Sequence, residues 1–556
     1  MRKLVFFIIS LFGIAGCISN DIPYPVIVPN IISMDVDGAE NVELDFKNRT
    51  VTIHMPEDYD LRQVNILSYK IDEDITQVSD VLIGEHDLTS PMKVILTTYD
   101  DYEWRIVAVK DVERYFTVKG QVGSSVIDAA NRRVVVVVGK KVLLSEIEIT
   151  SFKLGPRNVV SYSKEPSRMK DFTSGSMTVD VTAFDVTETW TIYVEVTEVS
   201  VEIKKLNPWT LDAYVTSMGI AGEENRFEYR KKGDERWMQV SADAVTADGG
   251  SFTAHITALL PETTYEVVAY CGDEKTSVQE FVTAPATQLP NSSFENVSKV
   301  SGQDFYKFYD PSCGVEDCKY MFWGSGNGDY PEEGGEKGSA NMGIIITTVD
   351  TEEKVDGLQS VRAQTSQTAG MLAAGNLFTG KFAGLVGTEG GKVNFGRPWT
   401  TRPKALKLWC KYTTGKMDIV KGAPIGVTLN KGVDYDRAQI KVALGNWNYR
   451  TYGGTAESPV HVNTTDANTF VNFNTDPSTI ANGELIIHHD SYLINGKDQQ
   501  STATDKWIEY TIPLNYHDTD ELPTHIIISC AASQFGDYFS GYSASKLWLD
   551  KFELIY

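Results

Sequence analysis

Asn131-Arg132-Arg133-Val134-Val135-Val136 repeats Asn48-Arg49-Thr50-Val51-Thr52-Ile53, 83 residues earlier, and this pair decides the fold. In each copy a polar Asn-Arg turn opens a run of β-branched residues, which suits a half-buried strand rather than a helix. Ser68-Tyr69-Lys70-Ile71 matches Ser151-Phe152-Lys153-Leu154 at the same offset. Asp87-Leu88-Thr89-Ser90 then matches Asp171-Phe172-Thr173-Ser174, and Trp104 matches Trp190 after small insertions. Such a period is too long for a solenoid unit. It reads as two tandem sandwiches, each with a late tryptophan in its core.

Outward from the repeat the same texture continues. Val42 to Phe46, Met177 to Val181 and Trp190 to Val196 alternate with period two, and no segment carries a long helical stripe. The expected fold class is all-β: tandem Ig-like and fibronectin III-like sandwiches followed by a larger jelly roll. The chain has 556 residues, enough for several domains. Its 42% hydrophobic and 11% aromatic content excludes disorder throughout. With 51 Lys+Arg against 75 Asp+Glu, the net charge of -24 leaves no basic footprint for nucleic acid, which is excluded as a partner.

Arg2 and Lys3 precede an apolar stretch, Leu4 to Ile14, of secretory-signal length. Ile14-Ala15-Gly16-Cys17 resembles a bacterial lipobox, which implies lipidation of Cys17 and attachment to a membrane through that anchor. Ile18-Ser19-Asn20-Asp21 carries one acid where surface-export signals of Bacteroidetes lipoproteins carry several. The resemblance implies an outer-membrane lipoprotein facing the cell surface, with the periplasmic face as the alternative. Five cysteines remain beyond Cys17, an odd number. Cys313 and Cys318 are candidates for a local disulfide, whereas Cys271, Cys410 and Cys530 read as small buried hydrophobes.

The expected order is a signal peptide at 1–16, a tether at 17–28, Ig-like repeats at 29–112 and 113–199, and a third module at 200–286. In the third module Leu259-Leu260-Pro261-Glu262-Thr263-Thr264-Tyr265 resembles the tyrosine corner of fibronectin type III domains, with Trp237 or Trp209 expected in its core. Residues 285–290 read as a linker, and the three modules as a stalk.

Residues 287–556 have longer, glycine-rich loops. Pro290 to Glu295 (PNSSFE), Gly357 to Arg362 (GLQSVR), Asn394 to Pro403 (NFGRPWTTRP), Ile526 to Tyr538 and Leu547 to Leu554 together resemble the putative carbohydrate metabolism domain of Bacteroidetes lipoproteins. That resemblance implies a carbohydrate-binding-module-like jelly roll and an oligo- or polysaccharide partner. Sugar binding needs a flat aromatic platform edged by planar hydrogen-bonding groups. Trp399 with Arg397, Arg402 and Asn394 makes one candidate cluster; Trp447 with Asn448, Tyr449 and Tyr452 makes a second; Trp323 with Tyr330 makes a third. The resemblance also implies structural Ca²⁺, with Glu295 and Asp550 as side-chain ligands and a carbonyl near Asp356-Gly357.

Catalysis is not called for by any motif: no G-x-S-x-G, HExxH or P-loop is present. Glu332, Glu333, Asp434, Asp436 and Asp490 supply carboxylates without selecting a pair, and His488 and His489 should point to opposite faces of one strand. The expected function is non-catalytic glycan capture for a carbohydrate-utilisation system, alongside outer-membrane uptake proteins. An adhesin binding protein partners is the alternative, and a glycan-active lyase or hydrolase the third reading.

Overall fold

The structure is a computed structural model and describes residues 27–556 except 74, 301, 313–319, 331–334, 369–370, 388 and 500–502. Cys17, Cys313 and Cys318 lie outside the described residues. The chain divides into two compact units, one ending at Val112 and one starting at Glu113.

The first unit is a sandwich of a three-stranded and a five-stranded sheet. In the larger sheet Thr50–His54 pairs parallel with Asp101–Val109, the strand that carries Trp104. Val51, Ile53, Ile66 and Trp104 are fully covered. The second unit opens with the same arrangement: Arg133–Gly139 runs parallel with Val186–Thr197, and Trp190 fills the core. Both copies of the Asn-Arg turn are closed identically. Asp45 accepts the Asn48 backbone N–H at 2.9 Å and its side-chain amide at 2.7 Å, and Asp128 does the same for Asn131 at 3.0 and 2.7 Å. Arg49 and Arg132 then sit at φ 51° and 52°, a left-handed turn held by the aspartate.

Residues 202–282 build a third sandwich around Phe227 and Phe252. The Tyr265 hydroxyl accepts the Leu260 N–H at 3.0 Å, tying the preceding loop to the strand Thr264–Cys271. Neither expected tryptophan belongs to this core. Trp237 lies outside it under Arg230, at 4.5 Å, and Trp209 is drawn to the next module, where its ring meets Tyr516 at 4.8 Å.

Within the second unit the modules are fastened to one another. Gln121 is fully buried, its carbonyl accepting the Ala221 N–H at 2.7 Å, and Gly123 bonds Gly219 and Gly250. The stretch read as a linker is part of the C-terminal sandwich: Gln288 exchanges two hydrogen bonds of 2.8 Å with Leu554, and Tyr556 donates to the Thr287 carbonyl.

The C-terminal sandwich packs an eleven-stranded sheet on a five-stranded one. The large sheet runs Asn376–Val386, His525–Ala531, Ala438–Gly445 and Thr479–Ile487 through its centre. The small one orders Thr347–Asp350, Ser360–Gln364, Lys546–Ile555, Ala405–Thr413 and Ile508–Pro513. One apolar core lies between them, including Cys410 and Cys530 as free, buried thiols whose burial pushes both up in pKa. No helix among the described residues is long and apolar enough to cross a membrane.

Candidate functional site

The three tryptophans expected to stack on sugar are interior. Trp323 is 1% exposed, donates to the Pro290 carbonyl at 2.9 Å and packs edge-on to Phe294, Phe322 and Phe552. Trp399 joins the same core. Trp447 fills a smaller core with Val460, Val462 and Ile527, donating to Asp476 at 3.1 Å. None offers a free face, because a full-width indole here covers more apolar area inside the sandwich than it could against a sugar.

The polar partners are equally committed. Arg397 donates to the carbonyls of Phe322 and Gly380 and to Ser458. Arg402 donates to Asn207, Pro208 and Thr519. The Asn394 oxygen meets His461 Nδ1 at 2.7 Å. Asn448 caps the short helix Tyr449–Tyr452 by accepting the Arg450 N–H. Asn448 and Tyr449 keep solvent exposure, but Trp399, Trp447, Trp323, Arg397 and Arg402 are structural, which corrects the expected platforms.

A partly exposed indole lines a cleft elsewhere. Strand Ala405–Thr413 alternates so that Leu406, Leu408, Cys410 and Tyr412 face the core, which turns Lys407, Trp409 and Lys411 outward. Trp409 is half-buried and stands between Glu509 and Asp550 of the flanking strands. It lines a cleft of about 340 Å³ with Ser292, Ser293, Lys407, Glu509, Lys551 and Glu553. Lys407 and Glu553 pair at 2.5 Å, the carboxylate holding the ammonium above its ordinary pKa. The alternation of Ala405–Thr413 in sequence carries the signal for Trp409, which lies in a regular strand and not in a polar loop.

Glu295 and Asp550 do converge. Asp550 is fully buried, accepts the N–H groups of Val355, Asp356 and Lys551, and has its carboxyl pushed up by burial, with Glu295 adding repulsion. Both Glu295 oxygens face the Leu358 N–H. Calcium needs carbonyl as well as carboxylate oxygens. Here the 355–358 segment turns N–H groups toward the carboxylates, and the Lys551 ammonium lies 3.3 Å from Asp356. The donor set therefore does not fit a calcium cage. Among the described residues no group of three or more His, Cys, Asp or Glu is placed to hold a metal.

Of the carboxylates considered for catalysis, Glu332 and Glu333 lie outside the described residues. Asp436 is buried under Ser533, Ser545 and the Tyr542 N–H, and Asp434 accepts from Asn430. His489 stacks on Tyr435 at 3.9 Å, while His488 lies beside Arg437.

No curated protein matches the chain. A solved structure described as a putative glycoside hydrolase from Bacteroides thetaiotaomicron is 12% identical, covering 96% of this chain and 98% of that one, with a TM-score of 0.28. Another so described, from Bacteroides vulgatus, is 18% identical over 47% of this chain and 96% of its own, with a TM-score of 0.32. At these scores neither bears on mechanism. Residues 293–555, almost the whole C-terminal sandwich, match the family model described as "Putative carbohydrate metabolism domain".

Proposed function

We propose that the protein captures glycans at the Trp409 cleft while tethered to the outer membrane by a lipid on Cys17. The observation that carries the reading is a partly exposed indole in a cleft of about 340 Å³ whose lining includes ammonium, carboxylate and hydroxyl groups. Such a platform offers a pyranose its C–H face a stacking surface and its hydroxyls both donors and acceptors. Reaction is not part of this proposal. Affinity for a single sugar would be modest and offset by dense display beside uptake proteins. The signal-like residues 1–17 support the anchor and the surface location.

The test is affinity electrophoresis of the full chain through gels containing individual plant and host polysaccharides. Trp409→Ala should lose retention by about tenfold, with Tyr449→Ala unchanged. Equal retention of wild type and Trp409→Ala would move the site elsewhere, and no retention by any polymer would remove the function.

A further inference from the structure

The Trp409 cleft lies at an irregularity in the small sheet. Lys407 pairs Glu553 and Trp409 pairs Asp550, so Leu408 alone stands against Lys551 and Phe552. This is a β-bulge, and Lys551 takes the left-handed conformation within it, at φ 50°. A bulge bends its strand, and the space of about 340 Å³ lies against this one, lined by Trp409, Glu509, Ser292 and Ser293 among others. Glu509 stands directly opposite Trp409 on the neighbouring strand. Cross-strand partners share one face of the sheet, with Cβ atoms about 5 Å apart. Glu509 is exposed, so a ligand lying on the indole reaches its carboxylate.

The charges around the cleft are not equally free. Lys407 is paired with Glu553 at 2.5 Å, and Lys551 lies 3.3 Å from Asp356. The Glu509 carboxylate makes no hydrogen bond or ion pair among the described residues, although Lys407 lies within its electrostatic reach. A ligand carboxylate or sulfate would therefore compete with Glu553 and Asp356 for the two ammonium groups, and would meet Glu509 as a like charge. A ligand ammonium meets the opposite situation. It finds a carboxylate without a partner beside a ring whose face attracts cations.

We propose that the cleft selects a hexosamine carrying a free amine, with the pyranose face on Trp409, the ammonium against Glu509, and Ser292 and Ser293 beside the ring hydroxyls. The inference rests on the reading of the Trp409 cleft as a glycan site and names its substrate class. N-acetylation removes the charge and keeps the ring, so that pair of sugars isolates the Glu509 contact. An exposed ion pair and a partly exposed cation–π contact are each weak, which sets the preference at about fivefold.

The test is isothermal titration of the full chain with glucosamine hexamer, N-acetylglucosamine hexamer, cellohexaose, galacturonate hexamer and hexalysine. The glucosamine hexamer should bind about fivefold tighter than its N-acetylated form, and the galacturonate hexamer weakest of the sugars. Glu509→Gln should abolish that preference and leave the affinity for the N-acetylated hexamer unchanged. Trp409→Ala should weaken both by about tenfold. Melting curves establish that the two variants fold. Equal affinity for the two hexosamine hexamers, a preference that survives in Glu509→Gln, or tighter binding of galacturonate overturns the selectivity. Hexalysine bound as tightly as the glucosamine hexamer also overturns it, since charge alone would then account for the result. In each of those cases, sugar binding that still depends on Trp409 leaves the cleft as a glycan site of another class. If no sugar binds, the glycan reading falls together with the selectivity.

Discussion

Arg402 of the C-terminal sandwich donates to the side-chain oxygen of Asn207 at 2.8 Å, so a residue expected to hold sugar instead fastens two modules. The same guanidinium bonds the Pro208 carbonyl and lies 4.5 Å from the Trp209 ring, and Lys404 pairs with Asp212 at 2.5 Å close by. The third module is thus a fixed base for the jelly roll.

Arg402→Ala should therefore loosen that junction without touching the proposed glycan site. Three acceptors lose a charged donor, a cost of about 2–4 kcal/mol. Limited proteolysis should show faster cleavage within residues 285–290, and small-angle scattering a broader distance distribution. Unchanged proteolysis and scattering would mean that the Gln288–Leu554 pair holds the junction unaided.

The tryptophans divide by the side of the sheet they occupy. Trp323→Ala removes an indole packed against three phenylalanines and should cost about 3–5 kcal/mol. Trp409→Ala removes one facing solvent and should cost under about 1 kcal/mol. Chemical denaturation of both variants checks this. A large loss for Trp409→Ala would assign it to packing rather than to binding.

At the loop that closes over Asp550, main-chain N–H groups already stand where a cation would need oxygens. Added calcium should leave the melting temperature unchanged. Asp550→Ala should lower stability by about 2–4 kcal/mol, since three N–H groups lose their acceptor. A calcium-dependent rise in melting temperature, abolished in Glu295→Gln, would restore the ion to this site.

The strands were legible because period-two alternation and β-branched runs are local signals, and the 83-residue repeat exposed even the equivalent turns. Exposure of aromatics was not legible from composition. Trp399 and Trp447 sit in polar, glycine-rich sequence yet are buried, Trp399 in the main core and Trp447 in a second small one built over the sheet. Trp409 sits in the most regular strand and faces out, a consequence of parity alone. That Glu509 stands opposite it needed the register of two strands distant in the chain, which no spacing reveals.

Asp436 gives the pH dependence its sign. It is fully buried, accepts from Ser533, Ser545, Tyr542 and Arg437, and burial outweighs these bonds, pushing its carboxyl from 3.8 up to about 6. The folded state therefore holds this proton more tightly than the unfolded chain. The stabilisation is complete below pH 4, declines as pH rises through about 6, and is gone above it. A shift of that size corresponds to about 3 kcal/mol. Asp436→Asn keeps an acceptor oxygen and carries no charge, so its stability should not fall in this window. Urea unfolding of wild type and variant from pH 4 to 7 checks the difference, which should shift in favour of the variant as pH rises. A difference that is flat, or that favours the wild type at higher pH, would show that the bonds to Ser533 and Ser545 outweigh burial and keep Asp436 ionised.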